Sequence, residues 1–153
     1  MTTVETGTVV SVLYRRELRH AHTDEELEVL VREIVENPPR PVCEVFVWDR
    51  PCRFVIDAEP DFPDARLLVS SSPNTGWGAL NYIAPHAPDG RVVDSYNPDA
   101  GAEAPVLLLD PDGGVDFSTS AALPLEQVRE AITEYCRTGQ RPSCVQWQPG
   151  QWY

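Results

Sequence analysis

Residues 124–148 read PLEQVREAITEYCRTGQRPSCVQWQ. Leu125, Val128, Ile132 and Tyr135 recur at helical spacing and fall on one face. Pro124 suits the first turn of a helix, because the N–H it lacks is one that a helix start leaves unpaired anyway. Gly139 suits the C′ position, where the backbone turns left-handed. This predicts a helix over 124–138, and the stretch Ser143 to Gln148 then reads as a closing strand. A helix followed by a strand at this end excludes an all-β chain, and what precedes the helix decides the class.

Working back from there, a run of short strand signals comes before it. Leu67–Ser70, Ala79–Ala84, Arg91–Tyr96, Val106–Leu109 and Val115–Phe117 are each bounded by turn residues such as Pro73-Asn74, Pro88-Asp89-Gly90, Asn97-Pro98-Asp99 and Asp112-Gly113-Gly114. Cys43–Trp48 and Cys52–Ala58 flank Asp49-Arg50-Pro51 and read as a hairpin. Earlier still, Thr23-Asp24-Glu25-Glu26 has the form of a capping box. It leads into Leu27, Leu30, Val31, Ile34 and Val35 on one helical face, which ends at Asn37-Pro38-Pro39. Residues 4–14, VETGTVVSVLY, are rich in β-branched side chains and read as a first strand. Consecutive strands with short loops pair antiparallel. The expected fold is α+β, a mainly antiparallel β-sheet of several short strands with two flanking helices, near 24–36 and 124–138, on one face. A chain of 153 residues suits one domain, spanning 1–153.

Charge narrows the partners. Aspartate and glutamate number 24 against 12 basic residues, all of them Arg, for a net charge of −12. The acidic excess is spread along the whole chain. Such a chain lacks the basic footprint that binding to phosphates requires, so no direct nucleic-acid partner is expected. A basic protein is the complementary partner. No apolar run reaches the roughly 20 residues of a membrane span, and Met1-Thr2-Thr3-Val4-Glu5 lacks the features of a signal peptide. The expectation is a cytoplasmic protein with no membrane partner and with reduced cysteines.

Cys43, Cys52, Cys136 and Cys144 do not show the close pairs of a structural zinc site and read as buried, inert thiols. His20-Ala21-His22 reads as a surface turn before the first helix. His86, in Ala84-Pro85-His86-Ala87-Pro88, has no nucleophile assigned to it by any motif: there is no GxSxG elbow, P-loop or HExxH. Ser70-Ser71-Ser72 reads as a strand end running into a loop. Asp110, Asp112 and Asp116 around Gly113-Gly114 lack calcium-loop spacing and read as a hairpin turn. Asp57, Glu59, Asp61 and Asp64 cluster around Pro60 and Pro63 as solvated charges or as an acidic contact patch. Trp48 and Trp147, both in strand signals, read as packing residues. Trp77, between two glycines, and the terminal Trp152 and Tyr153 are candidates for contact. No metal and no cofactor is expected.

Two stretches carry a resemblance. Gly76-Trp77-Gly78-Ala79-Leu80-Asn81-Tyr82 is similar to the Gly-rich segment leading into a strand, and Leu123-Pro124 through Gly139 to Trp147 is similar to the helix, Gly-x-x-Pro and late Trp, of immunity protein family one of bacterial polymorphic toxin systems. The resemblance implies a largely β fold with flanking helices and no enzymatic activity. Its members bind and neutralise a cognate secreted toxin, often a nucleic-acid deaminase or another toxin that attacks nucleic acid. Trp147 matches the family's late Trp and is expected to be structural. On this reading the protein occludes a basic active-site cleft, and Asp57, Glu59, Asp61, Asp64, Trp77 and Tyr82 are the candidate partner-binding residues. The alternatives are a small hydrolase or ligand-binding domain using His86 and nearby acids, and a general protein-interaction module.

Overall fold

The computed structural model describes residues 8–55, 58–85 and 92–150. The elements run β1 (Val9–Tyr14), β2 (Glu17–Ala21), α1 (Asp24–Glu36), β3 (Val42–Trp48), β4 (Arg66–Ser72), β5 (Trp77–Ile83), β6 (Val92–Tyr96), β7 (Leu108–Asp110), β8 (Val115–Asp116), β9 (Leu123–Pro124), α2 (Leu125–Thr138) and β10 (Gln146–Pro149). The α+β class is as expected: an antiparallel sheet with two helices.

Both helices form where local chemistry dictates. Thr23 Oγ1 accepts the Glu26 N–H at 3.1 Å, and the Glu26 carboxylate reaches back to accept the His22 N–H at 2.7 Å. Asp24, Glu25 and Glu26 lie in the first turn, at the positive end of the helix dipole. Gly139 terminates α2 with φ 68°, and its N–H bonds the Tyr135 carbonyl. The helices are joined by Arg129 of α2 and Glu36 of α1.

The main sheet has the order β10-β6-β5-β4-β3-β1-β2, with β9 paired to the start of β5. One edge of β5 is therefore shared: β9 takes Trp77 and Gly78, and β6 takes Asn81 to Ile83. The Ser95 hydroxyl fills the fork between them, accepting the Leu80 N–H at 3.0 Å and donating to the Ala121 carbonyl at 2.7 Å. Strand alternation sorts the two faces. Val10, Val12, Cys43, Val45, Leu67, Val69, Leu80, Tyr82 and Val93 face α1 and α2 in the larger core. Leu68 and Ala79 face the other way, where Leu107, Leu109, Phe117, Ala121 and Ala122 cover them.

Two strand expectations are corrected. The hairpin of Cys43–Trp48 with Cys52–Ala58 does not form: β3 is paired on both sides, by β1 and β4. Pro51 has no N–H to offer a ladder, and the Cys52 N–H goes to Ser11 Oγ at 3.1 Å. In place of the hairpin, β1 turns at Arg15-Arg16 into β2, whose sequence ELRHA carries no β-branched residue. His20 is consequently a half-buried strand residue with Nδ1 2.8 Å from Ser11 Oγ, and only His22 sits at the exposed helix entry. Asp110 to Asp116 is a hairpin, β7–β8.

Candidate partner-binding surface

The two stretches that carry the resemblance meet in space. Gly76 has φ +83°, a conformation that glycine adopts at little cost, and its carbonyl accepts the Leu125 N–H at the start of α2. A Cβ on Gly78 would lie 2.8 Å from the Ser70 carbonyl oxygen and 3.0 Å from Val128, so glycine here lets α2 lie directly on β5. Further along β5, the Tyr82 ring packs edge-on against Tyr135 of α2 at 5.9 Å and tilted against Trp147 at 6.2 Å. The Trp147 indole N–H bonds the Pro142 carbonyl at 2.8 Å. Glu134 accepts from the Ser143 N–H and hydroxyl and from the Cys144 N–H, which closes the turn after the helix. These residues join α2 to the sheet, and Trp147 has the packing role expected of it.

The acidic segment is a separate feature. It leaves β3 at Trp48, over whose ring the Arg50 guanidinium sits at 4.2 Å, and returns at β4. A single β-bridge draws it in: Arg53 and Asp61 exchange backbone hydrogen bonds of 3.2 and 2.9 Å, and their side chains pair at 3.3 Å. Phe62 packs edge-on against the buried Phe46 at 5.1 Å and against Phe54 at 5.4 Å. Phe54 is left 51% exposed. Glu59 and Asp64 are exposed, Asp61 is half-buried against Arg53, and Asp57 lies outside the described residues.

The structure does not bring all the candidates together. Asp64 precedes the first residue of β4, whereas Trp77 pairs with Ser72 at the far end of that strand. Six residue steps separate the two ends, about 20 Å. Trp77 is half-buried against the smaller core. Tyr82 is 7% exposed, so its ring is part of the helix-side core and cannot touch a partner unless that core opens. Phe54, on the same segment, is the exposed aromatic there.

A polar row also crosses the face away from the helices. Glu44 pairs with Arg66 at 2.8 Å, Arg66 donates to Asn81 at 3.3 Å, and Asn81 donates to Asp94 at 2.8 Å. Asp94 is 3% exposed, and burial raises its pKa to about 6 against the bond from Asn81. Cys43, Cys52 and Cys136 are buried free thiols; burial pushes Cys136 up to about 12. Cys144 corrects the expectation of four buried thiols, since it is exposed at the turn after α2. Desolvation and the Glu134 carboxylate raise its thiol to about 11. A cavity of about 240 Å³ opens beside β3 and β7, lined among others by Arg15, Arg40, Glu44 and Asp112. Its one thiol-bearing residue, Cys43, buries its side chain in the core on the opposite face.

Among the described residues, no group of three His, Cys, Asp or Glu side chains is placed to hold a metal ion. No helix among them is long and apolar enough to cross a membrane. His86, Trp152 and Tyr153 lie outside the described residues. No curated protein matches the sequence. The family model described as Immunity protein Imm1 matches residues 15–149, which takes in both helices, the acidic segment and the Trp147 turn. The chain belongs to the Imm1 family of immunity proteins.

Proposed function

We propose that this immunity protein acts in the cytoplasm as a non-enzymatic inhibitor of one cognate toxin that attacks nucleic acid, and that it covers the toxin's basic substrate cleft. The observation that carries the reading is the exposed acidic segment around Glu59 and Asp64, on a chain with a net charge of −12. A toxin that holds nucleic acid must present a cationic groove. An acidic protein is steered into that field and, once seated, displaces the substrate. Asp57 and Asp61 belong to the same stretch of sequence, with Asp61 paired to Arg53. Trp77 lies at the other end of β4–β5, and its indole would touch only a partner whose footprint spans that length.

The test is co-expression of the adjacent toxin gene with and without this protein, followed by association kinetics on the purified pair. Rescue of growth establishes the antidote. Charge reversal at Glu59 and Asp64 should slow association at low salt, and the deficit should shrink as salt shortens the Debye length to about 3 Å at 1 M. Association insensitive both to salt and to the reversals would refute electrostatic occlusion through this segment.

A further inference from the structure

We propose that Phe54 is the anchor of the toxin interface, seated in an apolar recess on a basic protein surface. The proposal rests on the immunity reading above and adds to it the residue on which residence time depends.

Three large apolar side chains are prominently exposed among the described residues: Val29, Phe54 and Val106. Only Phe54 is aromatic, and only Phe54 is held from below by a stack of rings. Phe62 contacts it on one side and reaches Phe46 in the sheet on the other. The backbone just before it is tied down as well. The Arg53–Asp61 bridge closes the segment, and the Cys52 N–H is fixed to Ser11 on β1. A half-exposed ring gains little for folding, yet here it is given a fixed position. Pre-positioning of that kind removes the ordering cost a flexible anchor would bear on binding.

The surroundings select the occupant. Glu59 and Asp64 are exposed on the same segment, while the nearby cations Arg50 and Arg53 are each paired with an aspartate. An exposed apolar ring on an acidic segment complements a recess flanked by Lys or Arg. A second copy of this chain is disfavoured, because both surfaces would carry the same sign. Nucleic acid is disfavoured for the same reason. The cognate toxin's cationic groove is the surface whose charge fits.

The experiment uses the full chain and the purified cognate toxin domain. Wild type, Phe54→Ala, Phe54→Leu and the control Val106→Ala are compared by dissociation rate, association rate and thermal unfolding. An anchor predicts that Phe54→Ala speeds dissociation by about thirtyfold or more, the size of a hot-spot loss, with association changed far less. Phe54→Leu should recover part of the residence time, and Val106→Ala should match wild type. Because Phe54→Ala could loosen the segment itself, Phe62→Leu serves as a second variant: it weakens the support and leaves the exposed ring, so its effect on dissociation should be smaller. If wild type binds and protects while Phe54→Ala dissociates within threefold of it, the anchor is refuted and the immunity reading stands. If wild type neither binds nor protects, the immunity reading fails, and the anchor with it. A wild-type dimer in sedimentation that Phe54→Ala dissociates would assign the ring to self-association and overturn the proposal.

Discussion

Replacing Asp94 by asparagine should stabilise the protein at neutral pH and destabilise it relative to wild type in mild acid. Asp94 lies on β6 with 3% of its surface exposed and accepts one bond, from Asn81. The chain passes close over it: a Cβ on Gly150 would stand 2.9 Å from Asp94 Oδ1. Burial raises the carboxyl from 3.8 to about 6, so between those values the folded state holds a proton that the unfolded chain has released. The stability tied to that proton is fully present below about pH 4 and is lost as pH rises through 6. Two units correspond to roughly 3 kcal/mol. Asparagine keeps an oxygen for Asn81 but brings an amide N–H₂ that needs acceptors, which costs about 1–2 kcal/mol. Asp94→Asn should then be more stable than wild type by about 1–2 kcal/mol at pH 7.5 and less stable by about as much at pH 4. Urea unfolding of both proteins at several pH values tests this, because every other titration cancels in the difference. A difference that stays flat from pH 4 to pH 7.5 would show that the carboxylate is hydrated, and the reasoning would be wrong.

Other changes probe the rest of the framework. Gly78→Ala places a methyl 2.8 Å from the Ser70 carbonyl oxygen and should cost about 1–3 kcal/mol in urea unfolding. The cost should be partly relieved when Val128 is also cut to Ala. Trp147→Ala removes a half-buried ring from Tyr82 and leaves the Pro142 carbonyl without its donor, for an expected loss of roughly 2–3 kcal/mol. Glu134 has its pKa lowered by the hydrogen bonds from Ser143 and Cys144, so its contribution is present above the ordinary carboxyl pKa and disappears as pH falls through the lowered value. Glu134→Gln should flatten that acid limb, and it should speed thiol labelling of Cys144 at pH 8 by removing the neighbouring negative charge.

What could be read in the sequence was local. The Thr23 cap, the Gly139 stop and both helical faces depend on residues within a few positions of each other, and both helices lie where expected. Partner choice among strands is not local. Cys52–Ala58 looked like the mate of β3, but β1 and β4 already occupy its two edges. β2 carries no local strand signal: Glu17-Leu18-Arg19-His20-Ala21 has no β-branched residue and is held in place by pairing to β1. At the candidate surface, Glu59 and Asp64 were readable as solvated acids because they stand in a Pro-rich stretch. The exposure of Phe54 was not, since Cys52–Ala58 reads as a strand, in which a Phe is expected to face the core. It stays out because Phe62 already covers Phe46 beneath it. The shift of Asp94 was invisible for the same reason: a lone Asp in a strand says nothing of what roofs it.

The bridge between Arg53 and Asp61 separates the rim of the acidic segment from the sheet below. Their two backbone hydrogen bonds hold Arg53 and Asp61 side by side, so the stretch between them starts and ends at one place. Polymer statistics then make its length cheap to change: doubling such a loop costs only about 0.6 kcal/mol. The β-strands and α2 need not register an insertion there. On the proposed reading, a scaffold built this way can change its rim, and with it the partner it fits, without refolding its core.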